Sequence, residues 1–272
     1  MSKLREELLH LLSITAPSGR EQPVAAYLLE RLQGKMDELS IDGYGNVVAE
    51  RRFGTGGGPT ILLSAHMDTV SVDPLRSVLQ EGDIWRSTSG PLGADDRAGI
   101  AIILHTVDQL AAAGYGGTVK LAFTREEEIG CIGSREIDEI WLGDVDLAVV
   151  VDRRGSRDIV THNRSMAFCG AEVAEWFEQI GVACGMPDWR AVQGGVSDAV
   201  TYAMHGIPSV NLSAGYCHEH TEEEYVNVRH AEDTSRFIIQ AMVHYAKKRM
   251  NIKRRRAAWR TGFGGRSGRM RS

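Results

Sequence analysis

The run Thr60-Ile61-Leu62-Leu63-Ser64-Ala65 is apolar almost throughout and gives way at once to His66-Met67-Asp68. A strand without polar alternation has both faces covered, so this one belongs inside a sheet with helices on either side. Shorter β-type runs recur at 46–49, 119–123, 147–151 and 209–212, and another lies near Ile159. Helical spacing of apolar residues marks 3–13, 21–32, 99–110, 171–180, 199–204 and 232–248. Strands alternating with helices predict a three-layer α/β/α sandwich around a mainly parallel, mixed central sheet.

A chain of 272 residues, 43% of them hydrophobic, buries one sizeable core. We read one folded domain over residues 1–250, followed by a basic, disordered C-terminal tail over 251–272. Residues 247–272 carry 11 of the 31 Lys and Arg and no Asp or Glu, which leaves 20 cations against 36 anions in the body. Basic runs of this kind are usually solvated, so nucleic acid is not an expected partner, whereas docking on the acidic body of another subunit in a homo-oligomer is open. No stretch of 18 apolar residues exists, and the N-terminal helix mixes charges into its apolar pattern, so neither a membrane span nor a signal peptide is expected. Four scattered cysteines suit free thiols, and the expected location is the cytoplasm.

In a parallel sheet, ligands gather beyond the carboxyl ends of the strands. Polar clusters stand at those ends: His66 and Asp68 after 60–65, Glu126-Glu127-Glu128 after 119–123, Asp152 after 147–151, and His218 and His220 after 209–212. Asp95 and Asp96 lie just before the helix of 99–110. Each cluster alone has a plain reading: a loop His-x-Asp, a capping aspartate, a solvated acidic loop. Three consecutive carboxylates behind a buried strand nevertheless repel one another unless cations offset them. Cys217-x-x-His220 has no second pair with which to close a structural zinc site.

The ordered set His66-x-Asp68, Gly93-x-Asp95-Asp96-Arg97-x-Gly99, Glu127-Glu128-x-Gly130, Asp152 and His220-Thr221 resembles the co-catalytic zinc exopeptidases, the clan of peptidase T and the M20, M28 and M42 peptidases. The resemblance implies a catalytic metallopeptidase domain with two divalent metal ions, zinc or in its place cobalt or manganese. It implies that Asp95 bridges both ions, that His66 and Asp152 complete one site, and that Glu128 and His220 complete the other. By the same resemblance Glu127 is the general acid/base working on a metal-bridging water, and the Asp95-Asp96 peptide bond is cis. Asp68 is read as the carboxylate that orients His66, because a metal-bound imidazole usually donates its other N–H to such a group.

Lidded relatives carry an extra domain between the positions of Asp68 and Asp95 or after that of Asp152. Here those intervals are too short for one, so a lidless, M28-like form is expected. Without a lid to supply basic residues for a substrate carboxylate, the reading leans to an aminopeptidase acting on a peptide or small amide. The alternatives are a metal-dependent N-acyl amino acid deacylase of the same clan and a catalytically inactive binding module. Ser197 or Asp198, in Gly194-Gly195-Val196-Ser197-Asp198, is expected to cap a helix, and Asn163 and Arg164 are open to substrate contact or to a plain surface loop.

Overall fold

The computed structural model describes residues 2–55 and 57–263, with side chains described as far as Lys247. The chain opens with helices α1 (Lys3–Ser13) and α2 (Gln22–Leu32), followed by strands β1 (Glu38–Ile41), β2 (Val47–Arg52) and β3 (Thr60–His66). The hairpin β4 (Val78–Glu81) and β5 (Ile84–Ser87) leads to α3 (Ala94–Leu110), β6 (Thr118–Thr124) and the short helices α4 (Ile132–Arg135) and α5 (Glu139–Leu142). Then come β7 (Leu147–Arg153), β8 (Asp158–His162), α6 (Ala171–Ala183), β9 (Arg190–Gln193), α7 (Asp198–Met204) and β10 (Ser209–Ser213). The small strands β11 (Tyr216–Cys217) and β12 (Tyr225–Asn227) precede α8 (Val228–Phe263).

The main sheet has the order β1-β2-β6-β3-β7-β10-β8-β9. Its centre, β6-β3-β7-β10, is parallel, as the alternation of elements predicts. All seven residues of β3 are buried. Alternate residues of the central strands feed two cores: Ile61, Leu63, Leu121 and Val149 pack with α1, α2, α3, α6 and α8, while Leu62, Ala122, Ala148 and Val150 pack with α5 and α7. From β3 the chain crosses through α3 to β6 on one side, and later returns to β7 on the other. That reversal opens a crevice at the carboxyl end of β3, where His66 sits.

Three features depart from the sequence expectation. β8 runs antiparallel to β10, because only residues 154–157 join it to β7, and so short a link reverses the chain instead of crossing over. A second sheet, β11-β12-β5-β4, is built from strands of two to four residues, too short to show periodicity. Helix α8 continues past 248 and through 251–263, where an irregular tail was expected. Residues 253–260 are mostly Lys, Arg and Ala, good helix formers with no Gly or Pro among them. The remainder of the expected tail, 264–272, lies outside the described residues. Among the described residues no lid domain is present: the interval from Asp68 to Asp95 holds only the β4-β5 hairpin and its flanking turns. No described helix is long and apolar enough to cross a membrane.

Candidate active site

The last residue of β3 puts the His66 side chain into the crevice, 1% exposed. Its Nε2 lies 3.1 Å from Asp95 Oδ1 and 3.5 Å from Asp152 Oδ1. The other Asp95 oxygen, Oδ2, lies 3.2 Å from Nε2 of His220, which is itself 2.9 Å from the Glu128 carboxylate. One carboxylate therefore stands between two imidazoles, an oxygen to each. Glu127 Oε2 is 4.0 Å from His66 Nε2. The structure brings all seven sequence-predicted residues to one crevice, and the Asp95-Asp96 bond is cis. Ligand-type atoms of His66, Asp95 and Glu128, and of His66, Asp96 and Asp152, also cluster within 4.8 Å. His218 turns away to meet the ring of Tyr225.

Fixed backbone donors hold these groups. Asp68 Oδ1 accepts from the Glu127 N–H at 3.0 Å, and Oδ2 accepts from the Glu128 N–H at 3.2 Å and from the Ser18 hydroxyl at 2.7 Å. His66 Nδ1 is nearest the Asp68 carbonyl oxygen at 2.9 Å, with the Asp68 carboxylate at 3.3 Å. Asp68 thus ties the imidazole to the glutamate loop. Glu224, fully inside the fold, accepts from the N–H groups of Gly93, Ala94 and Asp95 at 2.9, 2.7 and 3.1 Å, taking the orphan donors at the start of α3. Asp96 accepts from Gly99 N–H at 2.9 Å and caps the helix proper. Arg97, buried beneath, donates to the Met67 carbonyl at 2.5 Å. The Tyr216 hydroxyl donates to Asp152 at 3.0 Å, and Asn211 exchanges two hydrogen bonds with the Asp152 backbone.

So many buried carboxylates disturb one another's ionisation. Burial, reinforced by the charge of Asp152, pushes Glu127 up to about 9, and burial lifts Asp152 to about 7. Burial also raises Glu128 and, helped by Asp152, holds Asp96 well above the carboxylate range. Against its own burial, Asp95 is held low by hydrogen bonds to His220 and His66, and Asp68 is lowered to about 2 despite burial by its contact with His66. His220 rises to about 9 through Asp95, and His66 is raised in spite of burial by Asp152, Asp68 and Asp95. Two imidazoles do not balance these acids. Divalent cations would, and nitrogen with oxygen donors is the set that zinc, cobalt or manganese accepts.

The model of peptidase family M28 matches residues 46–246. The chain belongs to this family. The M28 fold is shared with aminopeptidase PepT from Bacillus cereus, at a TM-score of 0.78 and 17% identity over 90% of this chain and 98% of that one. Carboxypeptidase G2 of Pseudomonas sp. (strain RS-16) is 31% identical over 47% of this chain and 32% of its own length. A putative LysW-lysine/LysW-ornithine hydrolase of Pyrococcus abyssi is 39% identical over 48% of this chain and 35% of its own. The matches thus span about a third of the length of these two curated relatives.

Sequence reading of this M28 chain missed several residues of the site. Glu224 ends the run Glu222-Glu223-Glu224, and only its contact with the start of α3 in the fold gives it a role. Ser18, Tyr216 and Asn211 carry no pattern of their own. Of the two expected caps, Ser197 takes the cap position of α7, though without a side-chain cap bond, and Asp198 instead accepts from the Thr124 hydroxyl at 2.6 Å. This bond links α7 to the end of β6.

Proposed function

We propose that this M28 member is a metallo-exopeptidase, an aminopeptidase in its leading form, that holds two zinc-class divalent ions. The observation that carries the reading is the Asp95 carboxylate, with one oxygen toward His66 and the other toward His220. His66 and Asp152 would hold one ion, Glu128 and His220 the other, and Asp95 both. Asp96 is left out of the set because its oxygens accept from the backbone of Gly99 and His66. Such ions, when bound, acidify water and polarise a scissile carbonyl.

The chain's own residues supply the rest. Glu127 takes a proton from the attacking water and returns it to the departing amine. Asp68 keeps His66 in the tautomer that leaves Nε2 free, and through the Glu127 and Glu128 N–H groups it sets the position of the base.

The test is a panel of aminoacyl and N-blocked substrates, assayed after chelation and again after adding zinc, cobalt or manganese. Metal-restored hydrolysis of the aminoacyl compounds is expected. Turnover confined to N-blocked substrates would favour the deacylase reading, and turnover that chelation does not touch would overturn the metal assignment.

A further inference from the structure

The crevice described above is a pocket of about 230 Å³, and a second cavity of about 450 Å³ adjoins it. The two share a wall made of Arg153, Arg154, Gly195 and Val196. Their linings have opposite sign. The first holds Asp95, Glu127, Glu128, Asp152 and Glu219. The second holds three arginines, Arg153, Arg154 and Arg164, with the amides of Asn163 and Gln193, and no Asp or Glu at all.

On a body with 20 cations and 36 anions, three guanidiniums around one cavity without an acid among them call for a reason. Two of the arginines have partners outside its lining: Arg153 pairs with Asp158 at 3.1 Å and Arg154 with Glu219 at 2.7 Å. Arg164 has no hydrogen-bond or ion-pair partner among the described residues. It is exposed at a turn that Asn163 fixes locally, its Oδ1 accepting from the N–H groups of Ser165 and Met166 at 2.8 and 2.9 Å. A guanidinium presented this way offers its fork of donors to a planar anion.

We propose that this arginine-lined cavity is a substrate subsite that takes a carboxylate of the peptide being cleaved. Val196, exposed and common to both linings, gives the passage between the two pockets an apolar flank, which suits a peptide lying extended from the reaction centre to Arg164. The inference rests on the peptidase reading and narrows it to peptides carrying a carboxylate, either the C-terminus of a short peptide or an acidic side chain. It also revises the expectation that a lidless form has no basic group for a substrate carboxylate.

The experiment compares trialanine, trialanine amide, and the amide with glutamate as its last residue, on the full chain with zinc restored. The kcat/KM of each and its calorimetric Kd on the Glu127→Gln chain are both read. A carboxylate-bearing peptide is expected to exceed the neutral amide by about tenfold in each readout, as for a charge-assisted contact in a partly solvated site. Whether trialanine or the glutamate peptide leads tells which carboxylate is taken. Arg164→Glu should bring that ratio to about one, and Arg164→Lys should restore part of it. Equal values for acid and amide in the natural chain, or a ratio that Arg164→Glu does not move, would overturn the subsite. Absence of turnover on every peptide would count against the peptidase reading, and the calorimetric ratio would still decide the subsite.

Discussion

Around Asp95, Asp68 and Glu224 every carboxylate oxygen has a named partner. A short distance outward, Glu219 leaves one buried oxygen without a partner and Arg164 has no hydrogen-bond or ion-pair partner among the described residues. Asp68 and Glu224 at the floor are thus held by backbone N–H groups before anything binds, whereas the rim keeps Arg164 and one Glu219 oxygen uncommitted. A fixed floor suits chemistry that fails when a group moves by an ångström. An uncommitted guanidinium such as that of Arg164 suits recognition, since a ligand there breaks no ion pair within the protein. Changes at the floor are therefore expected to cost far more than changes at the rim or beyond it.

The largest effect is expected at the base. Glu127→Gln keeps size and shape but loses proton affinity, so kcat should fall by about two to four powers of ten while metal content stays as it was. Parallel turnover and elemental analysis check this, and near-normal turnover would remove Glu127 from the reaction.

Next comes Glu224, whose role is support. Glu224→Ala leaves the N–H groups of Gly93, Ala94 and Asp95 without their acceptor at the start of α3. Metal affinity should weaken by about 10- to 100-fold, as for loss of an outer-shell partner. Stability should drop by about 3 kcal/mol or more from the unpaired buried donors. Metal titration and urea unfolding measure the two, and a variant as stable and as tight as the natural chain would show that the floor is not held this way.

The sequence announces the floor only in part. His66, Asp95, Glu127, Glu128, Asp152 and His220 are legible because each follows a strand or opens a helix, where strand ends converge on one edge, and because their order resembles that of the co-catalytic zinc exopeptidases. Glu224 is not, because its function depends on three N–H groups about 130 residues away in the chain. The central strands declare themselves by unbroken apolar runs, whereas β11 and β12, with two and three residues, are too short to carry a period. Of the rim arginines the sequence offers only Arg164 for substrate contact: Arg153 and Arg154 carry no pattern of their own, and only the cavity sets them beside it.

The floor's charge makes a prediction about pH. Glu127 and Asp152 are shifted from 4.5 and 3.8 to about 9 and about 7, so each stabilises the metal-free fold fully below its unfolded value and loses that contribution as pH rises through the folded one. His220, raised from 6.5 to about 9, acts in the same direction. Asp68, lowered to about 2, opposes them only on the acid side, where its contribution fades as pH falls below its unfolded value of 3.8. The chelated chain should therefore unfold at lower urea at pH 8.5 than at pH 5, and added zinc should shrink the gap. A metal-free chain that is more stable at pH 8.5 would contradict the picture of like charges held together at the floor.

The smallest effect is expected farthest from the crevice. Ending the chain after Arg249 removes most of the basic segment but none of the residues placed at the floor or the rim, so kcat/KM on a small peptide should stay within a few-fold. A loss of activity would mean that this segment orders the site or joins active subunits.

Counting the ions tests the central claim most directly. The natural chain and its Asp95→Asn and Glu127→Gln variants, stripped by chelation and titrated with zinc in a calorimeter, should give two ions per chain for the natural protein and for Glu127→Gln, with Asp95→Asn weakening both sites together because its carboxylate faces both imidazoles. A stoichiometry below two, or an Asp95→Asn chain that binds zinc like the natural one, would contradict a centre built around Asp95.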